Sequence, residues 1–114
     1  MAEPLRFKTS DGREFALEFN RRTVQMAEKN GFDVSKVDEK MMNSIPELFY
    51  YAFKKNHAWI KREETDRILF EEFGGLTTDE MKRLVELYSA PYDALLNSGE
   101  NGEGKNVRTV TILN

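Results

Sequence analysis

The sequence predicts an α+β fold: an N-terminal β-hairpin packed on a bundle of about four helices, with a flexible C-terminal tail. Three features point to it. Apolar residues alternate with polar ones on both sides of an Asp-Gly pair near the N-terminus. Later stretches carry apolar side chains at helical spacing between cap signals. After residue 97 the composition turns to Ser, Gly, Glu and Asn, which divides the chain into a domain over 1–97 and a tail over 98–114.

The hairpin is the clearest element. Leu5, Phe7 and Thr9 alternate with Arg6 and Lys8, and Phe15, Leu17 and Phe19 alternate with Glu14, Ala16 and Glu18. A period of two is what a strand with one buried face requires. Ser10-Asp11-Gly12 lies between the runs, where glycine supplies the positive φ of a tight turn. An isolated hairpin is marginal in water, so its aromatic face must rest on helices.

Asn20 reads as the N-cap of a short helix through Thr23, Val24 and Ala27, and Asn30-Gly31 as its C-terminal stop. Residues 32–40 read as a connection, with one turn after Asp38. A second helix is expected to begin near Asn43-Ser44, placing Pro46 in its first turn, where a missing amide costs little. Its stripe comprises Met42, Ile45, Leu48, Phe49, Ala52 and Phe53, and His57-Ala58-Trp59-Ile60 interrupts it. A third helix is expected over about 62–73, with Glu63/Arg67 and Arg67/Glu71 spaced for i,i+4 ion pairs, ending at Gly74-Gly75. Thr77 and Glu80 form a capping box. The fourth helix then carries Met81, Leu84, Val85, Tyr88, Tyr92 and Leu95 on one face. Pro91 predicts a kink there, or a restart after Ser89. Within the tail, Val107–Leu113 is a β-prone run that has two readings: an added strand at the hairpin edge, or disorder.

Composition narrows the function. A chain of 114 residues fits one domain. No apolar run approaches the length of a membrane span, and the opening Met-Ala-Glu-Pro has no signal-peptide character. The absence of cysteine removes disulfides, thiolate metal sites and thiol nucleophiles, and suits a reducing cytoplasm. Net charge is −3 with acids and bases interspersed, whereas nucleic-acid binding wants a basic stripe. The sequence therefore predicts no nucleic-acid and no membrane partner.

The same reading predicts no enzyme, no cofactor and no metal. His57 is the sole histidine, too few ligands for a structural zinc site and the only base a serine nucleophile could use. The acidic pairs Glu71-Glu72 and Asp79-Glu80 read as solvated faces or helix-start charges. What remains is surface. If Ile45, Leu48, Phe49 and Ala52 face the core, Tyr50 and Tyr51 project to the flanks with His57, and Trp59 is a contact anchor if exposed. These four residues are the candidate protein-binding set. The plainer alternative is that the tyrosines pack beneath the hairpin or the fourth helix and that Trp59 plugs the core.

Several segments taken in order resemble one family. Phe15-Ala-Leu-Glu-Phe-Asn-Arg-Arg-Thr-Val with Gly31-Phe32, then Pro46-Glu-Leu-Phe-Tyr-Tyr-Ala-Phe, Asn56-His57, Lys61-Arg62-Glu-Glu-Thr-Asp66 and Leu87-Tyr-Ser-Ala-Pro91 resemble the tail assembly chaperones of siphophages and prophages. The resemblance covers roughly residues 5 to 97. It implies a small helical protein of the bacterial host cytoplasm, absent from the mature virion, that binds the tape measure protein and keeps it soluble during tail morphogenesis. Further implied partners are the tail tube protein and a frameshifted longer form of the chain, for which Gly104-Lys105-Asn106 could be encoded by an A-rich slippery sequence. Homo-oligomers stay open. Two other classes compete. A head–tail connector or tail-completion protein would be retained in the virion. A small DNA-binding regulator would need a basic helix, yet Lys54-Lys55 and Lys61-Arg62 are followed at once by Glu63 and Glu64.

Overall fold

In the computed structural model, which describes residues 3–95, the N-terminal strands β1 (Leu5–Lys8) and β2 (Glu14–Leu17) pair antiparallel, Leu5 opposite Leu17 and Phe7 opposite Phe15. The turn closes through Gly12 N–H to the Thr9 carbonyl and Thr9 N–H to the Arg13 carbonyl, with Gly12 at φ 90°. That is a tight turn followed by a glycine bulge, the geometry that Asp-Gly favours. Four helices follow: α1 (Arg21–Lys29), α2 (Met41–Phe53), α3 (Arg62–Arg67) and α4 (Thr78–Leu95). The chain thus adopts the expected α+β architecture. The readings made for 98–114, including the Val107–Leu113 run, fall outside the described residues.

One core unites the elements. Phe15, Leu17 and Phe19 meet Leu48, Phe49, Ala52 and Phe53 of α2, Val24 and Ala27 of α1, and Leu84, Leu87 and Tyr88 of α4. Edge-to-face rings dominate its centre, with Phe53 against Phe15 at 5.2 Å and Phe49 at 5.1 Å, and Tyr88 against Phe19 at 5.1 Å. Such pairs add to the gain from area burial alone. Most caps fall where expected. Asn20 Oδ1 accepts from Thr23 N–H while Thr23 Oγ1 accepts from Asn20 N–H, Gly31 leaves α1 at φ 90°, and Thr77 and Glu80 cap each other.

Several expectations need correction. The turn in the connection begins at Val34, where the Asp33 side chain accepts from Ser35 N–H, rather than after Asp38. Helix α2 starts at Met41, so Pro46 sits in its second turn and the Met42 carbonyl lacks its usual amide donor. Met42 itself is 84% exposed and outside the stripe. After α3 the chain makes a wide π turn, Ile68–Glu72, with Phe73 N–H on the Ile68 carbonyl. Five-residue spacing then replaces four. Arg67 reaches Glu72 at 4.0 Å and Glu64 at 3.3 Å, and the i,i+4 pair that does form is Arg62–Asp66. Finally, of the two readings for Pro91 the restart after Ser89 does not occur, since α4 runs unbroken through it. Its last turn passes beyond the core, so Leu95 is exposed and not part of the apolar face.

Candidate functional site

The four residues singled out from sequence separate into different roles. Tyr51 is buried at 6% exposure among the core side chains, so its expected projection to the flank is corrected. On a 3.6-residue repeat it lies well outside the stripe, beyond its Leu48 edge, so α2 buries a wider arc than the stripe alone. Burial pushes its phenol pKa up. Tyr50 is half-buried and its ring lies 4.8 Å from Lys54 Nζ and 5.9 Å from the Arg62 guanidinium carbon.

His57 is structural in position. The outer edge of β2 would otherwise present bare amides, a template for unwanted strand pairing. Ala16 N–H donates to His57 Nε2 at 3.1 Å, Asn56 Nδ2 donates to the Ala16 carbonyl at 3.1 Å, and Glu18 N–H donates to the Ala52 carbonyl at 3.0 Å. An accepting Nε2 requires the neutral ring, and burial correspondingly pushes the His57 pKa down. Trp59, by contrast, stands out of the same loop at 68% exposure.

Sequence reasoning missed an apolar concavity. A groove of about 200 Å³ lies between the start of α2 and the segment after α3. Met41, Met42, Ile45 and Pro46 form one wall; Leu69, Phe70, Gly75 and Leu76 form the other. Met42 is 84%, Phe70 57% and Met41 52% exposed, three of the five large hydrophobics left in solvent among the described residues. Isolated exposed apolar residues are ordinary, whereas several converging on one concavity mark a contact surface. A larger depression of about 550 Å³ beside Val37 and Met81 is rimmed by Asp38, Lys82 and Glu86, so it lacks that apolar character. The Met-Met pair was visible in the sequence, but Phe70 could be aimed only by knowing the π turn.

That wall is fixed to the hairpin tip. Glu72, at the end of the π turn, accepts from Ser10 N–H at 2.9 Å and Ser10 Oγ at 2.8 Å. Arg13 bridges Asp11 at 3.0 Å and Glu64 at 2.6 Å, and Arg67 joins Glu64 to Glu72. The hydrogen bond from Arg13 holds the Glu64 carboxyl below its usual range, as those from Ser10 do for Glu72. The segment that carries Phe70 is thus tethered to the hairpin, while the facing methionines are unbranched and adaptable. Such a site can clasp apolar side chains of varied shape.

Among the described residues, no three His, Cys, Asp or Glu side chains converge as metal ligands, and no helix is long and apolar enough to cross a membrane. Comparison with curated proteins and with solved structures gives no match. Residues 1–112 match the family model described as a domain of unknown function, DUF5055, and the chain belongs to that family.

Proposed function

We propose that this protein is a phage tail assembly chaperone that binds the tape measure protein and keeps it soluble in the bacterial host cytoplasm until the tail tube forms around it. The observation that supports this reading is the methionine–phenylalanine groove, joined to the family resemblance of the sequence segments. A long helical client with exposed apolar stripes would aggregate uncovered, and a groove of this shape suits one face of an amphipathic helix.

The magnitudes agree with a reversible clasp. The exposed fractions of Met41, Met42 and Phe70 together correspond to about two full side chains. Covering them gains roughly 3–6 kcal/mol at about 1.5–3 kcal/mol per side chain. Association costs at least about 4 kcal/mol, so one groove alone binds weakly. Stable coverage of a long client then comes from many copies acting together, and polymerising tube subunits can displace them one by one.

Co-expression with a tape measure fragment tests the reading. The wild-type chain should hold the fragment in the soluble fraction and co-purify with it, and Met42→Asp should lose both while keeping the wild-type melting curve. Binding by Met42→Asp at wild-type strength, or failure of the folded wild-type chain to bind the cognate fragment, rejects it. Mass spectrometry of washed virions separates this reading from a connector or tail-completion role, because a chaperone is absent from the particle.

A further inference from the structure

We infer that the loop joining α2 to α3 is a second docking surface, built to take an acidic peptide segment that carries one apolar anchor side chain. The inference is independent of the groove, with which the loop shares no lining residue. Trp59 supplies the anchor point, at 68% exposure. Its loop is held from beneath. His57 N–H donates to the Phe53 carbonyl at 2.7 Å and Ile60 N–H to the His57 carbonyl at 3.0 Å. The Lys54 ammonium donates to the Ala58 and Ile60 carbonyls, the residues on either side of Trp59, at 3.0 and 3.3 Å. Ile60 is buried at 2% exposure, and the His57 ring packs edge-on to the indole at 6.2 Å. The indole is thus presented by a loop already ordered, which lowers the entropy lost on binding.

Charge selects the partner. In a chain of net charge −3, residues 54–62 hold Lys54, Lys55, Lys61 and Arg62 and no acid. Lys55 pairs with Glu18 at 2.9 Å and Arg62 with Asp66 at 3.0 Å. Lys54 is held by those two carbonyls and by the Tyr50 ring, with no carboxylate partner, and Lys61 has no carboxylate within 4 Å among the described residues. Two uncompensated cations flank one apolar ring. That matches one or two carboxylates bracketing an aliphatic or aromatic side chain. A polynucleotide making two such contacts gains little, with a salt slope near about −1.4 for a single strand, and Glu18, Glu63 and Asp66 lie close enough in the fold or chain to repel its remaining phosphates. An anionic lipid surface gains about 1 kcal/mol per cation, too little for two.

Trp59 is the only tryptophan, so tryptophan emission, excited where tyrosine does not absorb, reads this loop alone. The full chain is titrated with a short amphipathic Leu/Glu peptide and with its counterpart carrying Lys for Glu. The acidic peptide should shift the emission to the blue, with at least about tenfold weaker affinity for Lys61→Glu and a marked loss at high salt, as expected for a charge-selected contact. Met42→Asp should leave the shift unchanged. No shift with the acidic peptide, equal affinity for both peptides, or an unaffected Lys61→Glu variant overturns the inference. So does a stronger response to phosphatidylserine vesicles or to a single-stranded oligonucleotide.

Discussion

Replacing Tyr51 and Tyr50 one at a time by serine separates core from surface on adjacent positions of one helix. Tyr51 is 6% exposed, so Tyr51→Ser removes a buried ring and leaves a hydroxyl facing apolar neighbours. Ring-to-small changes in cores cost about 3–5 kcal/mol. A domain of this size is stable by only about 5–15 kcal/mol, so the variant should lose a large share of its stability and its urea midpoint should fall sharply. Tyr51→Phe keeps the ring and should cost less than about 1.5 kcal/mol. Tyr50 is half-buried and lies over two cations, at 4.8 and 5.9 Å. Each exposed cation–π contact is worth about 0.5–1 kcal/mol, so Tyr50→Ser should cost about 1–2 kcal/mol. Urea unfolding followed by circular dichroism reads all three. A Tyr51→Ser cost within about 1 kcal/mol of wild type, or equal costs for the two serine variants, would refute the placement of Tyr51 in the core.

Two further outcomes test the fold. His57 has a lowered pKa in the folded protein because burial disfavours the charged ring, and its Nε2 accepts from Ala16 N–H. Its folded pKa lies below the unfolded value of about 6.5, so its contribution is complete above that pH and is lost as the pH falls toward and through the folded value, with a slope of at most about 1.4 kcal/mol per pH unit for one proton. His57→Gln should flatten the stability profile in this window, and a profile parallel to wild type would contradict the edge-cap role; the Glu64 contribution, held low by Arg13, is lost only at more acidic pH. Separately, Leu84→Ala combined with Tyr88→Ala removes two side chains at 0% and 1% exposure. It should cost several kcal/mol, on the order of 5 or more, and abolish cooperative melting; a retained sharp transition would mean that α4 does not form part of the core.

The hairpin, the caps and the apolar arcs were legible because each is written in neighbouring residues. Asp11-Gly12 specifies its turn, Asn20 and Thr23 satisfy each other across three positions, and Thr77 and Glu80 do the same. What was illegible depends on contacts distant in sequence. Tyr51 looked dispensable because Ile45, Leu48, Phe49 and Ala52 already filled a stripe, yet α2 is enclosed by β2, α1, α3 and α4 and buries a wider arc than a surface helix would. The π turn has no residue signature, so neither the Arg67–Glu72 pairing nor the outward aim of Phe70 followed from four-residue spacing. The role of His57 was hidden for the same reason: its partner, Ala16, is 41 residues away.

The distribution of apolar surface carries the functional reasoning furthest. Rings that could have been placed anywhere are mostly spent inside: Phe15, Phe19, Phe32, Phe49, Phe53, Tyr51 and Tyr88 are all buried. The outer edge of β2 is covered by Asn56, His57 and the Ala52 carbonyl. Against that background, the apolar side chains left outside are not evenly scattered. Met41, Met42 and Phe70 converge on one groove whose wall is fastened to the hairpin through Glu72, while Trp59 stands alone on a loop held by Lys54. A tethered frame behind exposed contact residues lowers the ordering cost of binding, and flexible methionines at the groove admit partners of differing shape. A protein that had only to stay soluble could have replaced Met42 and Trp59 by polar residues at little cost in stability. What sets Met41, Met42 and Phe70 apart from singly exposed apolar residues, which are ordinary, is that they converge on one concavity.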